Sequence, residues 1–305
     1  MRYRIRSDKQ VNQIRGMLFW YSLADELGVP NICQAVREAW EYKYPELDCR
    51  GPNRKWGARA KGALPNYDAQ KLMTAEFPKL KEILESPLWL SLNQTIDPVF
   101  ISRCASTIRI NGSPLALDPG RVNTTMALVC GAPHWSRLAF LILILRSESP
   151  EYDLYRYWVA RNFTSYVCLV FAQRPFYLVS EKVFEVIDSL YRAKKFRVDA
   201  IDRWPVDWPD LNETVCAVSR AADKLHATGR VNSFEEGLFF LWSAVRGLSA
   251  SERLGLFVSI FLGLPISDRY RKSFSREKSK CTEVDMGVDD LLLRKLGGSR
   301  IFRSL

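Results

Sequence analysis

Two histidines and one basic stretch carry most of the chemical potential of this chain. His226 follows Arg220 by six residues, and His134 stands in the segment GAPHWS. Residues 50–65, RGPNRKWGARAKGALP, hold five cations, Arg50, Arg54, Lys55, Arg59 and Lys61, and no acid. Such a run can neutralise phosphates in a sequence-independent, salt-sensitive way, or it can be a solvated face without a partner. Trp56, set among these cations, either stacks on a base or sugar or pins the segment to a core. Gly62 and Pro65 are turn residues under both readings.

Other chemistry is largely excluded. The chain lacks G-x-x-x-x-G-K-[ST], G-x-G-x-x-G and G-x-S-x-G, so nucleotide hydrolysis and ester chemistry by those routes are not expected. The seven cysteines form no C-x-x-C, and no Cys or acid stands at ligand spacing from His134, so neither a metal site nor any other cofactor is expected. Asp289-Asp290 and Glu235-Glu236 are adjacent pairs, which a helix would point about 100° apart, a poor clamp for a cation.

The elements that must position these residues read as helices almost throughout. Val11, Ile14, Leu18 and Tyr21 step by three and four until Gly28 and Pro30. A second helix is expected from an Asn31 cap, lined by Ile32, Val36 and Ala39, and a third from Asn66 with Leu72 and Ala75 inward. Ser86-Pro87 and Asp97-Pro98 are helix starts, and patterned segments follow at 136–146, 151–174, 183–190 and 211–225. Ser233 with Glu236, and Ser249 with Glu252, read as two capping boxes. Period-two alternation is confined to short stretches near 106–117 and 176–179.

The expected fold class is therefore all-α, a multi-helix protein with a small N-terminal module and a larger helical body. The boundaries fall at 1–95 for the basic module, 96–267 for the apolar body, and 268–305 for a basic linker with a short terminal helix. The apolar runs 138–145 and 254–266 are shorter than the ~20 residues that span a bilayer and read as buried helices. With free-thiol patterns such as VCLVF and no apolar leader in MRYRIRSDKQ, a cytoplasmic protein without a membrane partner is expected.

Charge points toward a polyanion. Lys plus Arg number 44 against 34 Asp plus Glu, and 29 of the 44 are Arg, whose planar fork matches phosphates and guanine edges. The loop RWPVDWPD at 203–210 is rigid and aromatic, and more often folds back over a bundle than it binds a ligand.

Two resemblances sharpen these expectations. Three helical patterns with a basic segment leading into the third resemble a helix-turn-helix arrangement. The order Lys55-Trp56, Arg59, Gly62, Pro65, Phe77-Pro78 and Ser86-Pro87-Leu88-Trp89, covering residues 54–92, is similar to a pattern in uncharacterised proteins of bacterial prophages and mobile elements. It also resembles the Trp, Gly, Pro ending of lambda-repressor-like domains. This implies a DNA-binding regulator or accessory subunit of a mobile-element or anti-phage system. Its partners would be nucleic acid, DNA ahead of RNA, through Arg50, Arg54, Lys55, Trp56, Arg59 and Lys61, and a protein or second copy through the helical body.

The R-x5-H spacing resembles the motif of HEPN ribonucleases, all-α dimers that cut RNA. That resemblance would have Arg220 stabilise the charged transition state and His226 position or protonate the leaving group. The alternative is a surface helix on which Arg220 pairs with Asp223 and His226 sits near a C-terminal dipole. A third reading is a non-enzymatic scaffold that binds only protein. Of these readings, the non-enzymatic DNA-binding one is expected.

Overall fold

The computed structural model describes residues 8–44, 53–246, 248–279 and 283–286, of which 53–55 and 250 are described by their backbone alone. The protein is all-α, as its periodicity predicts. Its contacts fall into two compact units: the described residues up to Ile96 with Arg174–Leu190, and Asp97–Gln173 with Tyr191–Met286. The segment 174–190, expected in the helical body, thus groups with the N-terminal unit.

In the first unit, α1 (Lys9–Glu26) starts at Asp8, whose carboxylate accepts from the backbone N–H groups of Gln10 and Val11 at 3.0 and 3.2 Å. Val11, Ile14 and Leu18 are buried on it, and Gly28 ends the turn at φ +67°. Then come α2 (Cys33–Lys43), α3 (Asn53–Ala60), α4 (Tyr67–Glu76), α5 (Pro78–Glu85) and α6 (Leu88–Leu92). α1 packs against α3, α5, α6 and the 3-10 turn Phe176–Val179.

Several sequence expectations are corrected here. Residues 53–60 of the basic stretch form a helix, α3, where a connecting segment is expected. α2 is capped at Ile32 rather than Asn31, without a side-chain hydrogen bond. Ile32 is 60% exposed, and the inward residues of α2 are Val36 and Trp40. On α4, Leu72 and Ala75 face outward. The buried residues are Ala69, Gln70 and Met73, and the Gln70 Nε2–H donates to the Pro65 carbonyl at 2.6 Å. The Asn66 cap and this bond set the phase of α4, so one leucine is left in solvent.

The second unit is built around α9 (Trp135–Arg146), whose run Leu138–Leu145 is buried on every side. α7 (Pro98–Ser106), α8 (Val122–Cys130) and α10 (Asp153–Phe171) pack on it. Asp97 caps α7, accepting from Val99 N–H at 2.7 Å. α11 (Ser180–Arg192) passes from the first unit into the second, where α12 (Trp208–Ala227), α13 (Phe234–Val245), α14 (Ala250–Phe261) and α15 (Asp268–Lys278) follow.

Gly237 lets α13 approach α12, since a methyl there would stand 3.0 Å from the Ala222 carbonyl oxygen. In the 203–210 loop, Trp204 stacks on Phe163 at 5.7 Å and Trp208 lies 6.2 Å from Phe171, so both tryptophans cover the bundle. The expected hairpin is present as β1 (Ile108–Ile110) and β2 (Ser113–Pro114). A third strand, β3 (Val284–Met286), joins β1 antiparallel with Arg109 opposite Asp285. The stretch Phe176–Val179 forms the 3-10 turn rather than a strand.

Two expectations about the C-terminal third fail. The segment 268–278, expected as linker, is α15, held on α13 by Phe274 against Phe239 and Phe240, each at 5.5 Å. The apolar run 254–266 is not a buried helix. Leu256, Ile260 and Ile266 point inward, while Leu254 and Leu262 are 66% and 69% exposed and Val258, Phe261 and Leu264 are also outside. No described helix is long and apolar enough to cross a membrane.

Candidate functional site

The geometry around α3 begins with Trp56. Its ring is fully buried and meets Trp20 of α1 edge to face, with centroids 5.9 Å apart. Trp56 is therefore a core residue, the second of its two readings, and its place among the expected nucleic-acid contacts is corrected. One turn later the Arg59 guanidinium carbon lies 4.4 Å above the Trp56 ring, a cation-π contact that covers the indole from outside. Lys61 extends into solvent with no ion-pair partner among the described residues, while its carbonyl accepts from Gln13 Nε2–H at 3.2 Å. Arg50 lies outside the described residues, as do the side chains of Arg54 and Lys55.

The end of α3 is fixed on α1 by glycine contact. Gly62 has φ +97°, in the region glycine favours, and its N–H donates to the Arg59 carbonyl at 2.9 Å. A methyl on Gly62 would stand 2.3 Å from the Gln13 carbonyl oxygen, and one on Gly16 would stand 1.9 Å from the Gly62 oxygen. Backbones in such contact hold the turn rigidly. The role of Gly16 escaped the sequence reading, although an isolated glycine inside a helical pattern is a signal of close approach.

Some other surface cations of this unit meet carboxylates, while Lys9, Lys71 and Lys81 are exposed without an ion pair among the described residues. Arg37 lies 3.9 Å from both Glu38 and Glu41, Lys43 3.3 Å from Glu76, and Lys79 3.6 and 3.7 Å from Asp25 and Glu26. Residues 50–66 contain no acid to do the same. The site offers a rooted basic helix and turn, with Lys61 open to an anion.

Comparison with protein-family models, curated proteins and solved structures found no match. Assignment of function therefore rests on geometry.

The remaining candidates are dispersed. Arg220 and His226 are both exposed on α12, and six residues of helix set them about 9 Å apart along the axis and about 120° apart around it. The Arg220 Nε–H donates to the Cys216 carbonyl of its own helix at 3.4 Å. No described group of three or more His, Cys, Asp or Glu could hold a metal.

His134 is the N-cap of α9. Its Nδ1 accepts from Ser136 N–H at 3.3 Å, and its ring lies 4.0 Å from that of Trp135. Burial, reinforced by the Arg137 charge, pulls its pKa down to about 4. It is neutral at pH 7 and acts as a cap. Burial likewise pushes the thiols of Cys104, Cys130 and Cys168 up to about 12, which suits small apolar fillers and not nucleophiles.

Several arginines are also structural. The buried Arg15 guanidinium donates to the Leu84 carbonyl at the end of α5, and desolvation lowers its pKa to about 10 against the opposing charge of Glu85. Arg137 donates to the Leu128 and Val129 carbonyls at 2.9 and 3.0 Å, closing the end of α8. Arg156, 6% exposed, donates to the Ser147 and Ser149 carbonyls at 2.6 and 3.0 Å.

Proposed function

We propose that this chain is a DNA-binding regulator or accessory subunit that grips nucleic acid through α3 and the turn after it. The setting would be a bacterial mobile-element or anti-phage system, in keeping with the resemblance of residues 54–92. The observation that carries the reading is an acid-free run, 50–66, whose helix is rooted by Trp56 and the Gly16–Gly62 contact and whose Lys61 is exposed without an ion pair among the described residues. A preorganised cationic surface gains affinity because little ordering remains to be done on binding. Phosphates are the natural acceptors for it.

The test is fluorescence anisotropy with a labelled duplex at two salt concentrations. If Arg54, Lys55, Arg59 and Lys61 neutralise four phosphates, affinity falls about hundredfold between 50 and 200 mM salt. R54E/K55E/K61E removes most of that affinity and flattens the salt dependence. Arg59 is left in place because it covers Trp56. Equal binding by the triple variant and the natural chain would overturn the reading.

A further inference from the structure

A cavity of about 250 Å³ lies within the second unit between α10, α12, α13 and α14. It is smaller than the pockets that take drug-sized ligands, so it suits a compact molecule. Its mouth and its interior differ in chemistry.

Three arginines line it: Arg161 on α10, Arg203 in the loop before α12, and Arg253 on α14. None of them forms an ion pair among the described residues, and Asp202 is the one acid among the described lining residues. Two positive charges are left over. Arg253 is half-buried, and its guanidinium is oriented by neutral acceptors: Nε–H donates to the Leu248 carbonyl at 3.2 Å and Nη1–H to the Ser165 hydroxyl at 3.1 Å. Its Nη2 has no hydrogen-bond partner among the described residues and keeps accessible surface. Burial lowers the pKa of Arg253, the charge of Arg203 lowers it further, and Asp202 opposes both.

The loop that carries Arg203 is pinned to α10. The Asp202 N–H donates to the Ala160 carbonyl at 3.0 Å, and its carbonyl accepts from the Thr164 hydroxyl at 2.8 Å. Arg203 itself stands at φ +53°, a conformation few non-glycine residues adopt. Arg161, across the mouth, is exposed and lies 5.8 Å from the Tyr157 ring centre. An incoming anion thus meets cations on fixed supports, and a planar carboxylate matches the guanidinium fork.

Below the mouth the lining is apolar. Leu169, Val218 and Val245 are largely buried there, and the half-exposed Phe257 forms a wall, its ring 6.3 Å from that of Phe261. A hydrocarbon ring would displace water from this interior. Acetate or inorganic phosphate would use the arginines and leave the interior wet, and a long acyl chain would exceed the volume.

The geometry points to a binding site for a small aromatic monocarboxylate, with its carboxylate on Arg253 Nη2 and Arg203 and its ring against Val218, Val245 and Phe257. The site does not rest on the DNA-binding reading.

The test is titration calorimetry of the full chain with benzoate, phenylacetate and 3-phenylpropionate, their primary amides, acetate and inorganic phosphate. At least one of the aromatic acids binds saturably at one site per chain, with its amide, acetate and phosphate at least about tenfold weaker. R161Q/R203Q, at two exposed positions, lowers that affinity at least about tenfold without moving the melting temperature. T214W, which places a bulky ring at an exposed position of the lining, lowers it as well. The proposal is overturned if no aromatic acid binds saturably, if the amide binds as tightly as its acid, or if the folded R161Q/R203Q variant binds like the natural chain.

Discussion

Gly16 of α1 and Gly62 after α3 touch backbone to backbone: a methyl built on Gly16 would stand 1.9 Å from the Gly62 carbonyl oxygen. Neither backbone can yield without moving its helix. Gly16→Ala is expected to lower stability by at least ~1–3 kcal/mol, the range for overpacking. Gly62→Ala adds the strain of a left-handed residue, because φ is +97°. Urea denaturation of both variants checks this, and an unshifted midpoint for either would contradict the contact.

Trp56 separates stability from recognition. Its ring is fully buried against Trp20, so Trp56→Ala should cost about 3–5 kcal/mol, as large-to-small changes of buried aromatics do. Trp56→Phe keeps an aromatic in the core and should reduce stability less. If α3 grips phosphates, Trp56→Phe keeps duplex affinity within about twofold under conditions where it is folded, since each tenfold change would need ~1.4 kcal/mol at the interface. A tenfold loss in the folded variant would return the indole to the interface.

His134 predicts a pH dependence with a definite sign. Its folded pKa is about 4, below the ~6.5 of an unfolded histidine, so the unfolded chain binds the extra proton first as pH falls. The contribution of the neutral cap is present above about 6.5 and is lost progressively down to about 4. His134→Asn keeps a side-chain acceptor for Ser136 N–H and removes this titration. Comparing urea midpoints of the two proteins at pH 7, 5.5 and 4.5 isolates the effect, and parallel profiles would refute it.

Much of the helical frame was legible from local chemistry. Asp97-Pro98 and Ser249 with Glu252 announce helix starts through bonds made within four residues, and those bonds form. The other box forms only in part: Ser233 accepts from Glu236 N–H, but the Glu236 carboxylate turns to Asn232 N–H and Lys278. Lys278 is far along the chain, so no local pattern could foresee it. Periodicity identified helices at α2, α4 and α14 without fixing which face meets a neighbour, so Ile32, Leu72 and Leu262 were placed inward and stand outside. The cavity between α10, α12, α13 and α14 brings together residues from 161 to 257, a spacing no motif encodes.

Charge was the least legible quantity, because composition counts a guanidinium equally whether it faces water or caps a carbonyl. Arg156 illustrates this and yields the last prediction. It is 6% exposed and holds two backbone carbonyls, whereas its ion-pair partner Asp153 has a side chain 68% exposed. Asp153→Asn removes a solvated charge and should change stability by less than about 1 kcal/mol. Arg156→Met strands the Ser147 and Ser149 oxygens, at about 1–3 kcal/mol for each buried group left unsatisfied. The same substitution removes one positive charge from the chain, as Lys61→Met does. If affinity for DNA follows net charge, the two variants lose equally. If it follows the surface of α3 and its turn, Lys61→Met weakens binding and reduces the salt slope by about one, while folded Arg156→Met binds like the natural chain. Anisotropy titrations of both variants at two salt concentrations, with thermal melts to confirm folding, distinguish the outcomes, and equal losses would mean that α3 has no special part in recognition.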